Sequence, residues 1–145
     1  MVNLMKKATS FKNKKTKDNN NLQVDVKAVK ILRTVGDREA FYFYEAVGKP
    51  TGEIARNLPD FLDKAKSVKS ESLLFHLQRN DFQNWVEGVL GDSKLAEKLK
   101  RISSSDNDDI RMSICKTVEN RIKELRISSV AMLVGENLTV LLPAS

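Results

Sequence analysis

The sequence predicts an α+β domain, mostly short helices packed on a small antiparallel sheet and preceded by a disordered basic arm, and three observations predict it. An aromatic run, "FYFY" from Phe41 to Tyr44, has strand alternation and is followed by Gly, Pro and Thr-Gly turn residues. Apolar residues then recur at helical spacing from Phe61 to Leu125, in stripes separated by Asn, Asp and Gly. The chain has 145 residues, 41% hydrophobic and 30% charged, a balance that folds one domain around one modest core.

The elements follow in order. "NLQVDVKAVKILRTV" alternates at Leu22, Val24 and Val26 and is denser at Val29, Ile31 and Leu32, which fits either a short strand or a connecting helix. "AFYFYEAVGKPTGEIARNL" reads as a β-hairpin with "GKPTG" supplying the turn. Strand geometry sends Phe41 and Phe43 to one face and Tyr42 and Tyr44 to the other. The tyrosines then either pack beneath a second layer or form a base-stacking platform. No "K/R-G-F/Y-G/A-F-V-x-F/Y" signature surrounds them, which favours packing.

Pro59 and Asp60 suit the first turn of a helix whose stripe is Phe61, Leu62, Ala65 and Val68. Ser70 caps the next helix, "SESLLFHLQR". "ND" then starts another, with Asp81 as its cap and Phe82, Trp85, Val86, Val89 and Leu90 on its apolar face. Gly91 is placed to end that helix with positive φ, and Asp92 to cap "SKLAEKLKRI". The acids of the polar loop "SSSDNDD" lead into the clearest helix of the chain, with Ile110, Ile114, Val118, Ile122 and Leu125 at regular spacing. "VAMLVGENLTVLL" reads as a closing hairpin around "GEN", so residues 107–143 are expected to be a helix and a hairpin.

The net charge of +6 is unevenly placed. Up to Val35 there are nine Lys or Arg against two acids, while the remainder carries sixteen against seventeen. Residues 1–21 are therefore a Lys-rich arm, and 22–145 a single nearly neutral domain. Between Lys6 and Asn21 only Ala8 and Phe11 are apolar, too little to offset the entropy of ordering. Lys6, Lys7, Lys12, Lys14, Lys15 and Lys17 suit phosphates, which such an arm contacts in a salt-dependent, sequence-blind way. Solubility alone is the competing explanation for such a tail.

Several chemistries lack their residues. With one His and one Cys no zinc site is expected, and "SSSDNDD" lacks the central Gly and distal Glu of an EF-hand, so no metal is expected. "GKPTG" is not a P-loop, and no "G-x-S-x-G" or "G-x-G-x-x-G" occurs, so no cofactor is expected. Cys115, beside Ile114, reads as a small buried hydrophobe. The start "MVNLMKKATSFKNKKTK" lacks a signal-peptide core, and no run of eighteen apolar residues occurs, so a cytoplasmic protein without membrane attachment is expected.

"FHLQRNDFQNW" supports two readings. His76, Arg79 and Asp81 are the ordinary materials of a proton-transfer or ligand site, and equally those of a junction between helices. The junction reading makes Asp81 a cap and His76 with Arg79 a polar face beside the turn, for contact rather than reaction.

"ESLLFHLQRNDFQNWVEGVLGDSKLAEKL" resembles the signature of an uncharacterised, mainly archaeal domain family. That signature comprises an aromatic strand, a Thr-Gly turn, a Leu-Phe helix, Asp-Phe-x-x-Trp, Leu-Gly-Asp and Leu-Ala. Here these are "FYFY", Thr51-Gly52, "LPDFLDKAKSV", Asp81-Phe82 with Trp85, Leu90-Gly91-Asp92 and Leu95-Ala96. Asn80 stands where the family pattern has Gly. The resemblance spans about 41–102, excludes the arm and the C-terminal hairpin, and implies no activity.

The sequence thus predicts a non-catalytic cytoplasmic interaction or regulatory module whose arm engages an anionic partner such as RNA, DNA or the ribosome. Its contact residues are His76, Arg79, Tyr42 and Tyr44, and its structural residues Asp81, Phe82, Trp85, Gly91 and Asp92. The alternatives are a small-ligand sensor or enzyme centred on His76, Arg79 and Asp81, and a structural subunit of a larger protein or ribonucleoprotein assembly. No oligomeric state is implied.

Overall fold

A computed structural model describes residues 26–102 and 110–136, with side chains through 129. The Lys-rich arm with its six lysines, the loop 103–109 and the chain beyond Glu136 lie outside the described residues. The fold is α+β. A helix α1 (26–31) precedes strands β1 (Phe41–Ala46) and β2 (Lys49–Ala55). Then come α2 (Leu58–Ser67), α3 (Ser70–Gln78), α4 (Asp81–Trp85) with a wider π turn (Val86–Leu90), α5 (Ser93–Lys100) and α6 (Ile110–Glu136). The chain divides into two compact units, residues 30–125 and a second made of 1–29 with 126–145. The unit 30–125 holds the whole sheet, the aromatic core and the site described below.

The two strands pair antiparallel, and the turn between them is Val47-Gly48, with Gly48 at φ 71°. The turn expected over "GKPTG" is therefore shorter. Lys49 to Gly52 already belong to β2, because Gly48 alone provides the left-handed residue that reverses the chain. The Pro and second Gly serve a bulge instead. Tyr42 pairs with Ile54 but Tyr44 pairs with Pro50, so β2 carries extra residues at Gly52, whose φ is 90°. Thr51 repairs the interrupted ladder: its hydroxyl donates to the Phe43 carbonyl at 2.9 Å and accepts the Glu53 N–H at 3.0 Å.

Alternation along β1 buries Phe41 and Phe43 and leaves Tyr42 exposed and Tyr44 half-buried. The inward rings meet Phe61 of α2 and Phe82 and Trp85 of α4. Phe41 lies 4.8 Å from Phe43, Phe61 lies 5.1 Å from Phe82, and Phe61 stacks on Trp85 at 5.6 Å. Each such pair adds about 1 kcal/mol beyond its buried area. Trp85 also donates its indole N–H to the Glu39 carbonyl at 2.7 Å, which satisfies its one polar atom inside the core.

Helix ends follow local chemistry. Asn57 caps α2, accepting from Asp60 N–H at 2.8 Å, and Pro59 lies in the first turn where its missing N–H costs nothing. Ser70 is not the cap of α3. Lys69 holds the extended cap position, and the Ser70 hydroxyl instead accepts from Arg111 of α6 at 3.4 Å. Gly91, at φ 85°, ends the π turn, and Asp92 N–H reaches back to the Val86 carbonyl at 3.0 Å.

The run expected to be the first strand of a C-terminal hairpin is helical, because α6 continues without a break to Glu136. Once a long helix is nucleated, each added residue gains a hydrogen bond at little further cost, and Ala131, Met132 and Leu133 are strong helix formers. The second run of that expected hairpin lies outside the described residues.

Candidate functional site

Three elements of the unit 30–125 converge at one concave place. The αL residue Asn80, at φ 62°, is the only non-Gly residue with positive φ among those described, and it folds the chain sharply between α3 and α4. That fold returns the Asp81 carboxylate against α3. Asp81 does not cap α4: Asn80 holds the cap position, and Asp81 Oδ2 lies 2.8 Å from His76 Nδ1 and 3.2 Å from Arg79 Nε.

His76 is not on a polar surface; it is 3% exposed, ringed by Phe41, Phe43, Phe75 and Phe82. Helical spacing turns it inward with Leu73 and Leu77, because α3 packs on β1. Its Nε2 accepts the main-chain N–H of Tyr44 at 2.8 Å. A backbone N–H can only donate, so Nε2 carries no proton, and the proton resides on Nδ1 and is donated to Asp81. Burial pushes the His76 pKa below the ordinary histidine value, against the upward pull of Asp81, and the Arg79 charge pushes it further down. The ring is neutral, and both nitrogens are occupied by protein groups.

Arg79 completes the cluster at the surface. Its guanidinium lies 4.9 Å from the centroid of the Phe75 ring, one helical turn back, while its side chain is 53% exposed. Together these groups border a pocket of ≈ 400 Å³ whose walls include Phe41, Tyr42, Tyr44 and Phe75 and whose polar lining includes His76, Arg79 and Asp81. The hairpin turn, Val47-Gly48, forms its rim. Tyr42 is fixed by its hydroxyl, which donates to the Asp37 carbonyl at 2.7 Å.

The structure thus brings the four expected contact residues, His76, Arg79, Tyr42 and Tyr44, to one pocket together with Asp81. Phe82 and Trp85 are core residues, Gly91 is a helix terminus, and Asp92 caps α5 by accepting from Leu95 N–H at 3.1 Å. Sequence reasoning passed over the lining residues Phe41, Val47, Gly48 and Phe75, although Phe75 stands four residues before Arg79 on the same helical face. Asp92 has a second role with no local signal. Although 1% exposed, it receives Arg121 of α6 at 2.8 and 3.1 Å, and Arg121 also donates to Glu124 at 2.9 Å.

A second concavity of ≈ 430 Å³, where α5 ends and α6 begins, is lined by Lys98, Arg101 and Lys116 with Ser113 and Thr117. Cys115 on α6 is half-buried rather than fully enclosed, and burial pushes its thiol up, away from the thiolate. Among the described residues no three His, Cys, Asp or Glu side chains gather as a metal site, and no helix is long and apolar enough to cross a membrane.

No curated protein and no solved structure shows a significant match. A family model, described as a family of unknown function, DUF5752, matches residues 38–134. That match begins just before β1 and runs into α6, beyond the 41–102 span of the sequence resemblance. It covers more than half of the chain, including every residue of the pocket, and the chain belongs to this family of unknown function.

Proposed function

We propose that the protein is a non-catalytic interaction module of the cytoplasm, which meets RNA, DNA or a ribonucleoprotein through its Lys-rich arm and makes its specific contact at the pocket beside His76. The observation that carries the non-catalytic reading is the state of the only histidine. With Nε2 accepting from Tyr44 and Nδ1 donating to Asp81, its ring spans two protein groups and has no lone pair or proton left for a substrate. The arm supports an anionic partner, because residues 1–21 hold six lysines against the single acid Asp18. Lys98, Arg101 and Lys116 add a basic concavity to an otherwise nearly neutral body.

The test is binding of the full chain to single-stranded RNA and to duplex DNA over a range of salt. Affinity should fall log-linearly with salt, and replacing Lys6, Lys7, Lys12, Lys14, Lys15 and Lys17 by Gln should flatten the slope by about 0.7 for each lysine in contact with a single strand. Binding indifferent to salt and to all six substitutions contradicts the arm. A small-ligand sensor is the second reading, favoured by the convergence of His76, Arg79 and Asp81 with two tyrosines on one pocket.

A further inference from the structure

The pocket's polar atoms are unequally used. Asp81 meets His76 and Arg79 through the same oxygen, Oδ2, so its Oδ1 keeps acceptor capacity among the described residues. Arg79 approaches Asp81 most closely through Nε, and among the described residues its two terminal nitrogens make no hydrogen bond. A carboxylate acceptor therefore stands beside guanidinium donors, and their formal charges cancel. Any anion entering the pocket would meet Asp81, and any cation would meet Arg79, each at a cost in repulsion. What satisfies both is a neutral group with a hydrogen-bond donor next to an acceptor.

The walls narrow the choice. Tyr42, Tyr44 and Phe75 offer aromatic surface, and a volume of ≈ 400 Å³ holds one or two fused rings rather than a length of chain. We propose that this pocket binds a nucleobase, with the ring against the tyrosine and phenylalanine walls and its donor–acceptor edge read by Asp81 Oδ1 and the Arg79 guanidinium. The base comes either as a free nucleoside or as an unpaired base in a strand. In the second form the proposal rests on the nucleic-acid reading above and adds to it the point of specific contact. The tyrosines face outward from β1 while the phenylalanines face the core, so the hairpin contributes to both fold and site.

The experiment is calorimetric titration of the full chain with the four ribonucleosides and with the four homo-oligoribonucleotides, at low and moderate salt. Arg79→Ala, Tyr42→Leu and the six-lysine Gln variant are run beside it, each checked by its unfolding curve. Arg79 and Tyr42 are exposed enough that both variants keep the fold. Saturable binding of a nucleoside, weakened at least tenfold by Arg79→Ala or Tyr42→Leu and unchanged by salt or by the lysine variant, supports a free base. Binding seen only with an oligonucleotide, weakened tenfold by the same two substitutions with its salt slope unchanged, supports a base held in a strand.

Absence of binding by every nucleoside and oligonucleotide overturns the proposal, as does binding that ignores both pocket substitutions. A tenfold preference for benzoate or tetramethylammonium over every nucleoside overturns it in favour of a charged ligand. The arm fails separately: if nucleosides bind at the pocket while oligonucleotide affinity ignores salt and the six lysines, the arm reading is lost and the pocket assignment stands.

Discussion

The main-chain N–H of Tyr44 donates to His76 Nε2 across 2.8 Å, and this bond ties the middle of β1 to α3 inside an aromatic shell. Removing the imidazole would strand a buried donor and separate Asp81 from its partner. His76→Ala should therefore destabilise the fold by about 3 kcal/mol, combining the cavity with the unpaired N–H. His76→Gln, which restores an acceptor, should recover part of that loss. Urea denaturation of the three proteins measures both.

The burial of this ring sets a pH dependence. His76 has its pKa lowered in the folded state, chiefly by burial, so the unfolded chain takes up the proton first as pH falls. Its contribution is intact above the ordinary value of 6.5 and declines as pH drops through 6.5 toward the folded pKa. Stability measured between about pH 7 and pH 5 should fall in the native sequence and fall less in His76→Gln. Glu45, held down mainly by Lys49, and Glu124, held down mainly by Arg121, act in a separate window around and below their ordinary 4.5.

Asp92 and Arg121 form the most enclosed ion pair among the described residues, with side-chain exposures of 1% and 13%. Asp92→Ala leaves the guanidinium with Glu124 alone and removes the cap of α5, an expected loss of about 3 kcal/mol. Adding Arg121→Met should restore a substantial part, since the paired charge is removed with it. A double-mutant cycle by thermal or chemical unfolding would show a coupling of the two sites well beyond additivity.

Asn80 provides a backbone test. At φ 62° a β-branched residue is strained, so Asn80→Val should cost about 2 kcal/mol, whereas Asn80→Gly should be close to neutral. Because this turn places Asp81 against His76 and Arg79, Asn80→Val should also weaken any ligand of the pocket more than it weakens binding through the arm.

Much of this fold was legible in particular residues. Strand alternation separated Phe41 and Phe43 from Tyr42 and Tyr44, and the helix start at Pro59, the cap at Asp92 and the stop at Gly91 are local events decided within a few residues. Features set by distant packing were not legible. Nothing beside Asp92 announces Arg121, and nothing beside His76 announces the Tyr44 N–H, since each partner comes from another element of the fold. Asp81 had the residue type of a cap, but the αL turn at Asn80 and a buried imidazole five residues earlier gave its carboxylate a stronger bond. The closing segment misled in the opposite way: an apolar run of a few residues does not itself distinguish strand from helix, and continuity with α6 decided it. The candidate site was legible as a set of residues, not as a pocket, because the enclosure depends on how α3 docks on the hairpin.

The most direct measurement of the central claim, that His76 binds the fold together instead of reacting, is a long-range proton–nitrogen NMR spectrum of its imidazole in the 145-residue chain at neutral pH. The structure predicts a neutral ring with the proton on Nδ1, an unprotonated Nε2 that slows exchange of the Tyr44 amide, and a pKa below 6.5. A ring protonated on Nε2, or one titrating at the ordinary value while the Tyr44 amide exchanges freely, would contradict it.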